Sequence, residues 1–271
     1  MIGQRCIQQQ IKSEIEAKSL ARFIILVGER GSGRKTLAKE IARLTDAEYV
    51  VVDKGVEAIR QVIEQCYTVA TDVLYVLDGD NMSPSAKSSL LKVTEEPPNR
   101  ARFVLTVSDI GQTLNTLTSR ARVFRMDLYT DADIAYFAGT EDVRYANFCT
   151  NKFEVDFLKN YGMDDFSNFI QLVVDNVAEV SSSNAFKIEE KIALKGEEDK
   201  IDMKIFLQAF RVVCYQRVQD SQDYWEKLKF LQWIETTSAI LSELRVSTVN
   251  KPMLFDKWIF NVREVARNAT D

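Results

Sequence analysis

The chain has 271 residues, a formal net charge of −5 and no histidine. The absence of histidine excludes His-based acid–base catalysis, and because the four cysteines lie far apart without a CxxC pair, we expect no metal site. Because the chain is acidic, we do not expect it to bind DNA alone over its whole surface. The opening residues lack the layout of a signal peptide, and no apolar run approaches about 20 residues, the length that crosses a bilayer. These features predict a cytoplasmic protein without a membrane segment.

Short apolar runs alternate with helical patterns through the first 128 residues. The runs predicted as strands are 23–27, 49–53, 72–78, 102–108 and 122–128, and the segments predicted as helices are 37–44, 56–70 and 83–96, the last with Ser83 as N-cap and Pro84 in its first turn. Strands that alternate with helices indicate a parallel sheet covered by helices on both faces. The first part of the chain is therefore predicted to be an α/β domain.

From residue 129 the pattern becomes helical, and we see no strong strand signal. Three long amphipathic helices are expected over 200–268, and the polar stretch SSSN at 181–184 indicates a linker. We predict an α/β domain at 1–128, a small helical domain at 129–183 and a larger helical domain at 184–271. The charged stretch 195–200 is interpreted as a solvated loop.

The stretch GERGSGRKT, residues 28–36, has the features of a phosphate-binding loop between a buried strand and a helix. In such a loop the backbone N–H groups wrap the phosphates, a lysine reaches the outer phosphates, and the next hydroxyl holds Mg²⁺. Two registers fit: Arg34 takes the lysine position and Lys35 the hydroxyl position, or Arg34 is an insertion and Lys35 and Thr36 keep their usual roles. We favour the first, because the curvature around a phosphate fixes the loop length. A glycine loop without a nucleotide role is the remaining interpretation. The candidate nucleotide-binding residues are Gly28, Gly31, Gly33, Arg34, Lys35, Thr36 and Asp78.

Asp78 ends the third predicted strand, where an ATPase would hold Mg²⁺ through water. The glutamate that usually follows, and that orients the attacking water, is replaced by Gly79. Asp80 lies two positions on and should point much as Asp78 does. An acidic turn after a strand, with no role in catalysis, is the alternative interpretation.

Two further segments carry a resemblance to a known family. The segment SLLKVTEEPP (89–98) resembles the LLKtLEEPP segment of clamp-loader AAA+ proteins, and GQTLNTLTSRARVF (111–124) is similar to the segment of that family that contains its SRC motif. The start of the chain and the segment VNKPMLFDKWIFNVREV near its end are also similar to the family. The resemblance implies an α/β AAA+ fold followed by a helical lid domain and a C-terminal all-α collar domain.

Within that family the joint loss of both nucleotide motifs resembles the delta-prime subunits of bacterial DNA polymerase III, which generally do not hydrolyse ATP. The resemblance implies that Arg120 acts as an arginine finger in trans for a neighbouring ATPase subunit, with Ser119 orienting its loop. The partners implied are tau/gamma-like ATPase and delta-like subunits in a hetero-pentamer, a sliding clamp, and primed DNA through the assembled complex. No cofactor is required, and ATP or ADP would be bound weakly at most.

Several residues depart from the family pattern. Ala121 replaces the cysteine of the SRC motif, the four-cysteine zinc module of many relatives is absent, and acidic or apolar residues at 164–166 stand where the lid carries a sensor arginine. The alternative function is a cis-active AAA+ clamp-loader ATPase that uses Lys35, Thr36, Asp78 and Asp80; a helicase loader or repair factor is a third interpretation. The basic residues predicted to face DNA are Lys87, Lys92 and Arg100. Six aromatic residues near the end are expected to contribute in part to packing against neighbouring collars, namely Trp225, Phe230, Trp233, Phe255, Trp258 and Phe260.

Overall fold

A computed structural model describes residues 1–178, 188–194, 200–244 and 249–268. Within it the chain divides into two compact units. The first contains residues Met1–Phe137 and Thr150–Phe153, and the second contains Ala138–Cys149 and the chain from Glu154 onward. The boundaries that the sequence predicts at 128/129 and 183/184 stay predictions, and the second of these lies outside the described residues.

A five-stranded parallel sheet in the order β2-β3-β4-β1-β5 forms the first unit. Its strands are β1 (Phe23–Val27), β2 (Glu48–Val51), β3 (Val73–Asp78), β4 (Ala101–Val107) and β5 (Arg122–Arg125). Its helices are α1 (Arg5–Glu16), α2 (Arg34–Leu44), α3 (Val56–Gln65), α4 (Pro84–Ser89), α5 (Leu91–Glu95), α6 (Asn115–Thr118) and most of α7 (Asp131–Ala138). The predicted α/β fold class is confirmed.

Both faces of this sheet are covered, which explains why β1 is apolar at every position and buried throughout. One face, which includes Phe23 and Ile25, packs against apolar residues of α3 to α6. The opposite face, which includes Ile24 and Leu26, packs against α1 and α2. The sheet thereby fixes which strand ends lie at which edge, and that arrangement positions the candidate site.

The second unit is mostly helical. Its helices are α8 (Arg144–Phe148), α9 (Lys152–Tyr161, whose first two residues belong to the first unit), α10 (Met163–Asn176), α11 (Met203–Asp220), α12 (Tyr224–Glu243) and α13 (Lys251–Asn268). Two strands of two residues each, β6 (Ile192–Ala193) and β7 (Ile201–Asp202), form a short parallel pair. The aromatic side chains of Phe206, Phe210, Trp233 and Trp258 pack together in the core, with ring centroids 4.9–6.4 Å apart among the neighbouring pairs. None of the helices in the described ranges has the length and apolar character that a bilayer crossing requires.

The predicted elements are correct in kind and differ mainly at their ends. The segment predicted as one helix over 83–96 forms two helices, because the chain turns at Leu90. Ser83 caps the first of them as predicted, and its side chain accepts a hydrogen bond from the Ala86 backbone N–H at 3.2 Å. The helix predicted to continue to residue 70 ends at Gln65, and the last strand ends at Arg125 rather than at residue 128. The β6–β7 pair was not predicted, since two-residue strands carry no readable alternation. The SSSN stretch and most of the charged stretch 195–200 lie outside the described residues.

Candidate functional site

The glycine loop lies at the carboxyl edge of the sheet, between β1 and α2. The Gly28 backbone N–H donates to the Val107 carbonyl at 3.0 Å, which continues the β1–β4 ladder into the loop. Gly33 has φ of 92°, a conformation that glycine adopts at little cost, and Arg34 is the first residue of α2. The helix therefore begins directly after the last glycine. This geometry favours the register in which Arg34 takes the lysine position.

Side chains of the same unit pack closely against the loop. A Cβ atom on Gly33 would lie 2.6 Å from Met1 Cε and 2.7 Å from the Tyr129 hydroxyl oxygen, so no larger residue fits there without movement. The Tyr129 hydroxyl donates to the Ser32 carbonyl at 2.9 Å. Burial raises the pKa of Tyr129, which keeps this hydroxyl protonated as a donor. The loop conformation is thus stabilised by the protein's own residues.

Arg34 forms an ion pair with Asp80 at the position where a nucleotide loop would present its cation to phosphate. The Arg34 Nη1 to Asp80 Oδ2 distance is 3.0 Å, and the two side chains are 12% and 23% exposed. Asp80 also accepts two hydrogen bonds at 2.6 Å, from the Ser108 backbone N–H and from the Ser108 hydroxyl. The Asp80 carboxylate therefore binds both Arg34, at the start of α2, and Ser108, at the end of β4.

Lys35 and Thr36, the other cation and the hydroxyl of the loop, are exposed. The Lys35 Nζ lies 4.0 Å from Asp78 Oδ2, with side chains 62% and 35% exposed, so this pair is weak. Asp78 also accepts a hydrogen bond from Asn81 Nδ2 at 3.2 Å. Lys35, which follows Arg34, thus places an ammonium group at the position where a working site has a hydroxyl that binds Mg²⁺.

Gly79 occupies the position of the water-orienting glutamate and has no room for a side chain. A Cβ atom there would lie 2.6 Å from Val107 Cγ1 and 2.9 Å from Leu105 Cδ1. Within the described residues, no three His, Cys, Asp or Glu side chains come together in a way that could hold a metal ion. Gly79 therefore leaves no side chain at this position to orient a water molecule.

Arg120 lies between α6 and β5, exposed at the surface of the first unit. Its Nη1 donates to the Thr116 carbonyl at 2.9 Å, and its Nη2 lies 3.3 Å from Glu95 Oε1. Glu95 belongs to the EEPP segment, so the two segments that carry the family resemblance contact each other. Ser119 donates through its hydroxyl to the same Thr116 carbonyl at 3.2 Å, which ties the Ser119–Arg120 turn to the end of α6.

Arg120 and the glycine loop lie at opposite edges of the sheet. The register pairs Arg122, at the start of β5, with Ile24, near the start of β1. A parallel strand rises about 3.3 Å per residue, so the four residues from Ile24 to Gly28 span about 13 Å. Arg120 precedes Arg122 and so lies farther still from Gly28. The backbone of Arg120 therefore lies at the edge of the sheet opposite the glycine loop of its own chain.

Of the residues predicted to face DNA, Lys87 is misplaced. Its side chain is buried, and its ammonium donates to the Gln112 carbonyl at 2.8 Å, so it is not available to a phosphate. Lys92 and Arg100 are exposed and stay predictions. Near the position of the lid's sensor arginine, Asp164 pairs with Arg144 at 2.7 Å and Phe166 is fully buried.

The six aromatic residues of the C-terminal region divide into two groups. Four are core residues rather than interface candidates, namely Phe230, Trp233, Phe255 and Trp258. Trp225 and Phe260 are 62% and 65% exposed. Their spacing in the sequence does not separate the groups, because each helix presents both a buried and an exposed face.

Two residues that complete the site were not predicted. Ser108 directly follows β4 and so lies at the carboxyl edge beside the loop, a position that the strand prediction could have indicated. Glu95 stands in a segment that was noted only as a family signature. No local pattern marks it as the partner of Arg120, because the two residues are 25 positions apart and meet only through the packing of α5 against α6.

Comparison with known proteins finds similarity to the same family. The model of the family described as "DNA polymerase III, delta subunit" matches residues 45–129. The DNA polymerase III subunit gamma of Buchnera aphidicola subsp. Schizaphis graminum is 25% identical over 169 residues, which cover 51% of this chain and 47% of that protein. The DNA polymerase III subunit delta' of Buchnera aphidicola subsp. Acyrthosiphon pisum is 22% identical over 192 residues, 66% of this chain and 58% of that protein.

Among solved structures, a DNA polymerase III gamma subunit-related protein from Thermotoga maritima superposes with a TM-score of 0.51 at 16% identity, over 96% of this chain and 99% of that one. At this identity the likeness concerns the fold alone. The chain spans about half the length of the curated relatives it matches.

Proposed function

We propose that this chain, a member of the AAA+ clamp-loader family, is a DNA polymerase III-type clamp-loader subunit that does not itself hydrolyse ATP and supplies Arg120 in trans to the nucleotide of a neighbouring ATPase subunit. The observation that carries this proposal is the position of Arg120, exposed at the edge of the sheet opposite its own glycine loop. A guanidinium there can act on a phosphate only if another molecule brings that phosphate.

The absence of cis hydrolysis is supported by three features of the two nucleotide motifs, the glycine loop and the end of β3. Arg34 is paired with Asp80, an ammonium follows it in place of a hydroxyl, and Gly79 has no space for a water-orienting side chain. Each feature affects a different requirement, namely phosphate binding, metal binding and water activation. The alternative of a cis-active ATPase that uses Lys35, Thr36, Asp78 and Asp80 would require Asp80 to leave both Arg34 and Ser108.

The chemistry proposed for Arg120 is stabilisation of charge during phosphoryl transfer. A planar guanidinium offers several N–H donors to the oxygens of the transferred phosphoryl group, and such an arginine is typically worth about 10³–10⁵ in rate. Arg120 uses two of its nitrogens for Thr116, within α6, and Glu95, at the end of α5, and these contacts limit the directions in which the side chain can extend.

The proposed partners follow from the family. They are gamma/tau-like ATPase subunits and a delta-like subunit in a pentameric ring, together with a sliding clamp and primed DNA that contact the assembled complex. No cofactor is required by this chain, and any ATP or ADP would be bound weakly. The collar packing proposed for the C-terminal region would use Trp225 and Phe260, the exposed members of its aromatic set.

The test is the DNA-stimulated ATPase activity of a complex reconstituted from this chain and purified gamma/tau-type ATPase and delta-type subunits. We expect Arg120→Ala to reduce the activity at least tenfold and Arg120→Lys to restore little of it, because an ammonium lacks the planar set of donors. Arg34→Ala and Lys35→Ala should leave it within about twofold, as should Arg60→Ala, a matched control at an exposed arginine of α3.

Two results would contradict the proposal. The first is an equal loss of activity from Arg34→Ala and Arg120→Ala, which would place the catalytic nucleotide in the loop of this chain. The second is Mg²⁺-dependent ATP hydrolysis by the isolated chain that Lys35→Ala abolishes, which would support the cis-active alternative.

A further inference from the structure

Lys87 carries a buried ammonium group that has no part in the chemistry proposed so far. The residue lies in α4 and is only 8% exposed. Its ammonium donates to the Gln112 carbonyl at 2.8 Å and forms no ion pair within the described residues. Burying an ammonium group without a counter-ion is costly, whereas an apolar side chain of similar length fills such a space without that cost. The stabilising feature of this lysine is therefore its contact with the carbonyl rather than its burial.

The Gln112 carbonyl ends a single 3₁₀ turn (Ile110–Gln112) that leads into α6. At the start of this turn the Asp109 carboxylate accepts a hydrogen bond from the Gly111 backbone N–H at 2.9 Å. At its end Lys87 binds the last carbonyl. The turn is therefore held by side chains at both ends.

Backbone hydrogen bonds continue from this turn to Arg120. The backbone N–H groups of Thr113, Leu117 and Arg120 each donate to the carbonyl three residues earlier, at 2.9–3.2 Å. The helix between them, α6, has only four residues and no side-chain cap, and a helix of one turn is not stable by itself in water. The position of Arg120 therefore depends on the contacts that hold the residues on either side of α6.

The consecutive helices α4 and α5 contact this segment before and after α6. Lys87, in α4, binds the turn before it, and Glu95, at the end of α5, lies 3.3 Å from Arg120 Nη2 after it. Leu117 of α6 is fully buried in the same apolar cluster as Leu90, which joins α4 to α5. Apolar burial is not directional, whereas a hydrogen bond to a carbonyl depends on distance and angle. The Lys87 contact therefore restricts the orientation of the segment that burial of Leu117 holds in place.

We propose that Lys87 is a positioning residue for Arg120, whose ammonium fixes the turn before α6 and thereby the place from which Arg120 reaches the nucleotide of a neighbouring subunit. This inference rests on the proposed function, because Lys87 acts only through Arg120. A group that stabilises phosphoryl transfer must be held close to its productive geometry, and a displacement of about 1 Å can cost about 100-fold in rate. Since Lys87 is buried, its substitution should change the rate of hydrolysis rather than the assembly of the complex.

The test measures the DNA-stimulated ATPase kinetics of the reconstituted complex with Lys87→Met in place of the unsubstituted chain. Methionine is close to lysine in length but donates no hydrogen bond. We expect kcat to fall about three- to tenfold, while KM for ATP and the affinity of this chain for the ATPase subunit stay within about twofold. The matched control is Lys54→Met at an exposed lysine, which should leave all three quantities within about twofold.

A second comparison distinguishes positioning from an independent or merely structural role. In an Arg120→Ala background, Lys87→Met should lower kcat by less than about twofold, because no guanidinium is left to position. Equal losses of kcat in the two backgrounds would overturn the inference, since Lys87 would then act without Arg120. Weaker affinity for the ATPase subunit at an unchanged kcat would also overturn it, because the contact would then serve only the fold or the interface.

Circular dichroism shows whether Lys87→Met folds. If it does not, Asp109→Ala replaces it, because Asp109 is exposed and holds the same turn at the other end. We expect Asp109→Ala to lower kcat at least about threefold, and only when Arg120 is present. An unchanged kcat in Asp109→Ala would then overturn the inference.

The outcomes also separate this inference from the proposed function. If Arg120→Ala reduces the activity at least about tenfold but a folded Lys87→Met leaves kcat within about twofold, the positioning role is wrong and the proposed function stands. If Arg120→Ala leaves the activity unchanged, the proposed function and the positioning role are both wrong.

Discussion

The Arg34–Asp80 ion pair should be a substantial contributor to the stability of the first unit, and a double-mutant cycle measures it. The variants are Arg34→Ala, Asp80→Asn and the two together. With side-chain exposures of 12% and 23%, the pair is largely removed from water, and Asp80 has two more donors from Ser108 at 2.6 Å. A hydrogen bond to a charged group contributes about 1.5–3 kcal/mol in such a setting. We therefore expect a coupling free energy of at least about 1.5 kcal/mol between the two substitutions.

The neighbouring Lys35–Asp78 pair is the internal control. Its atoms are 4.0 Å apart and its side chains are 62% and 35% exposed, which limits its coupling to about 0.5 kcal/mol. Denaturant unfolding followed by circular dichroism, on both four-protein cycles, compares the two couplings in one buffer. Equal couplings would refute the view that Arg34 is bound by the chain's own carboxylate, and so would an Arg34–Asp80 coupling below about 0.5 kcal/mol.

Three further predictions concern packing and thiol chemistry. Gly79→Glu should not create ATPase activity, and it should lower the free energy of unfolding by about 1–3 kcal/mol, because its Cβ would lie 2.6 Å from Val107 Cγ1. The control is Gly111→Glu, where the nearest atom to a Cβ lies 3.4 Å away. Trp258→Ala should lower the free energy of unfolding by about 3–5 kcal/mol, because Trp258 is fully buried and its indole N–H donates to Thr237 Oγ1 at 3.0 Å. Trp225→Ala, at an exposed site, should lower it by less than about 0.5 kcal/mol. Similar losses in the two variants, measured by denaturant unfolding, would contradict the assigned core. In native protein at pH 8 a thiol reagent should modify Cys6 and spare Cys66, because burial raises the pKa of Cys66 to about 11 and leaves its thiol neutral. Reaction of Cys66 should increase only as pH rises toward that value, and rapid native labelling of Cys66 at pH 8 would contradict the burial.

The α/β architecture could be read from the sequence because its signals are local. The three central strands β1, β3 and β4 are mainly apolar runs of five to seven residues, and the glycine loop and the Ser83 cap each depend on neighbours within a few positions. The prediction of one continuous helix was wrong at Leu90, because the helical pattern of apolar residues continues there while the chain turns between α4 and α5. The pairs of residues that define the site, such as Arg34 and Asp80, are too far apart in the sequence for such local patterns to indicate.

Lys87 and the aromatic residues illustrate what local patterns leave open. A lysine next to a family motif was interpreted as a surface cation, but the packing of α4 brings its ammonium to the Gln112 carbonyl, 25 residues away in the sequence. Trp258 and Trp225 both stand in amphipathic helices, yet one is in the core and the other is exposed. In each case the side chain's environment depends on which face its element presents to the rest of the unit.

The sequence by itself determined the succession of strands and helices, the degraded nucleotide motifs and the family resemblance, since these depend on residue types at short spacing. Only the tertiary structure decided that Arg34 meets Asp80, that Arg120 lies at the edge opposite its own loop, and that the Lys87 ammonium reaches the Gln112 carbonyl. The physical reason is that strand order and register are set by the burial of both sheet faces summed over the whole unit. Residues 25 or 46 positions apart then become neighbours, although no local sequence pattern indicates that they will meet.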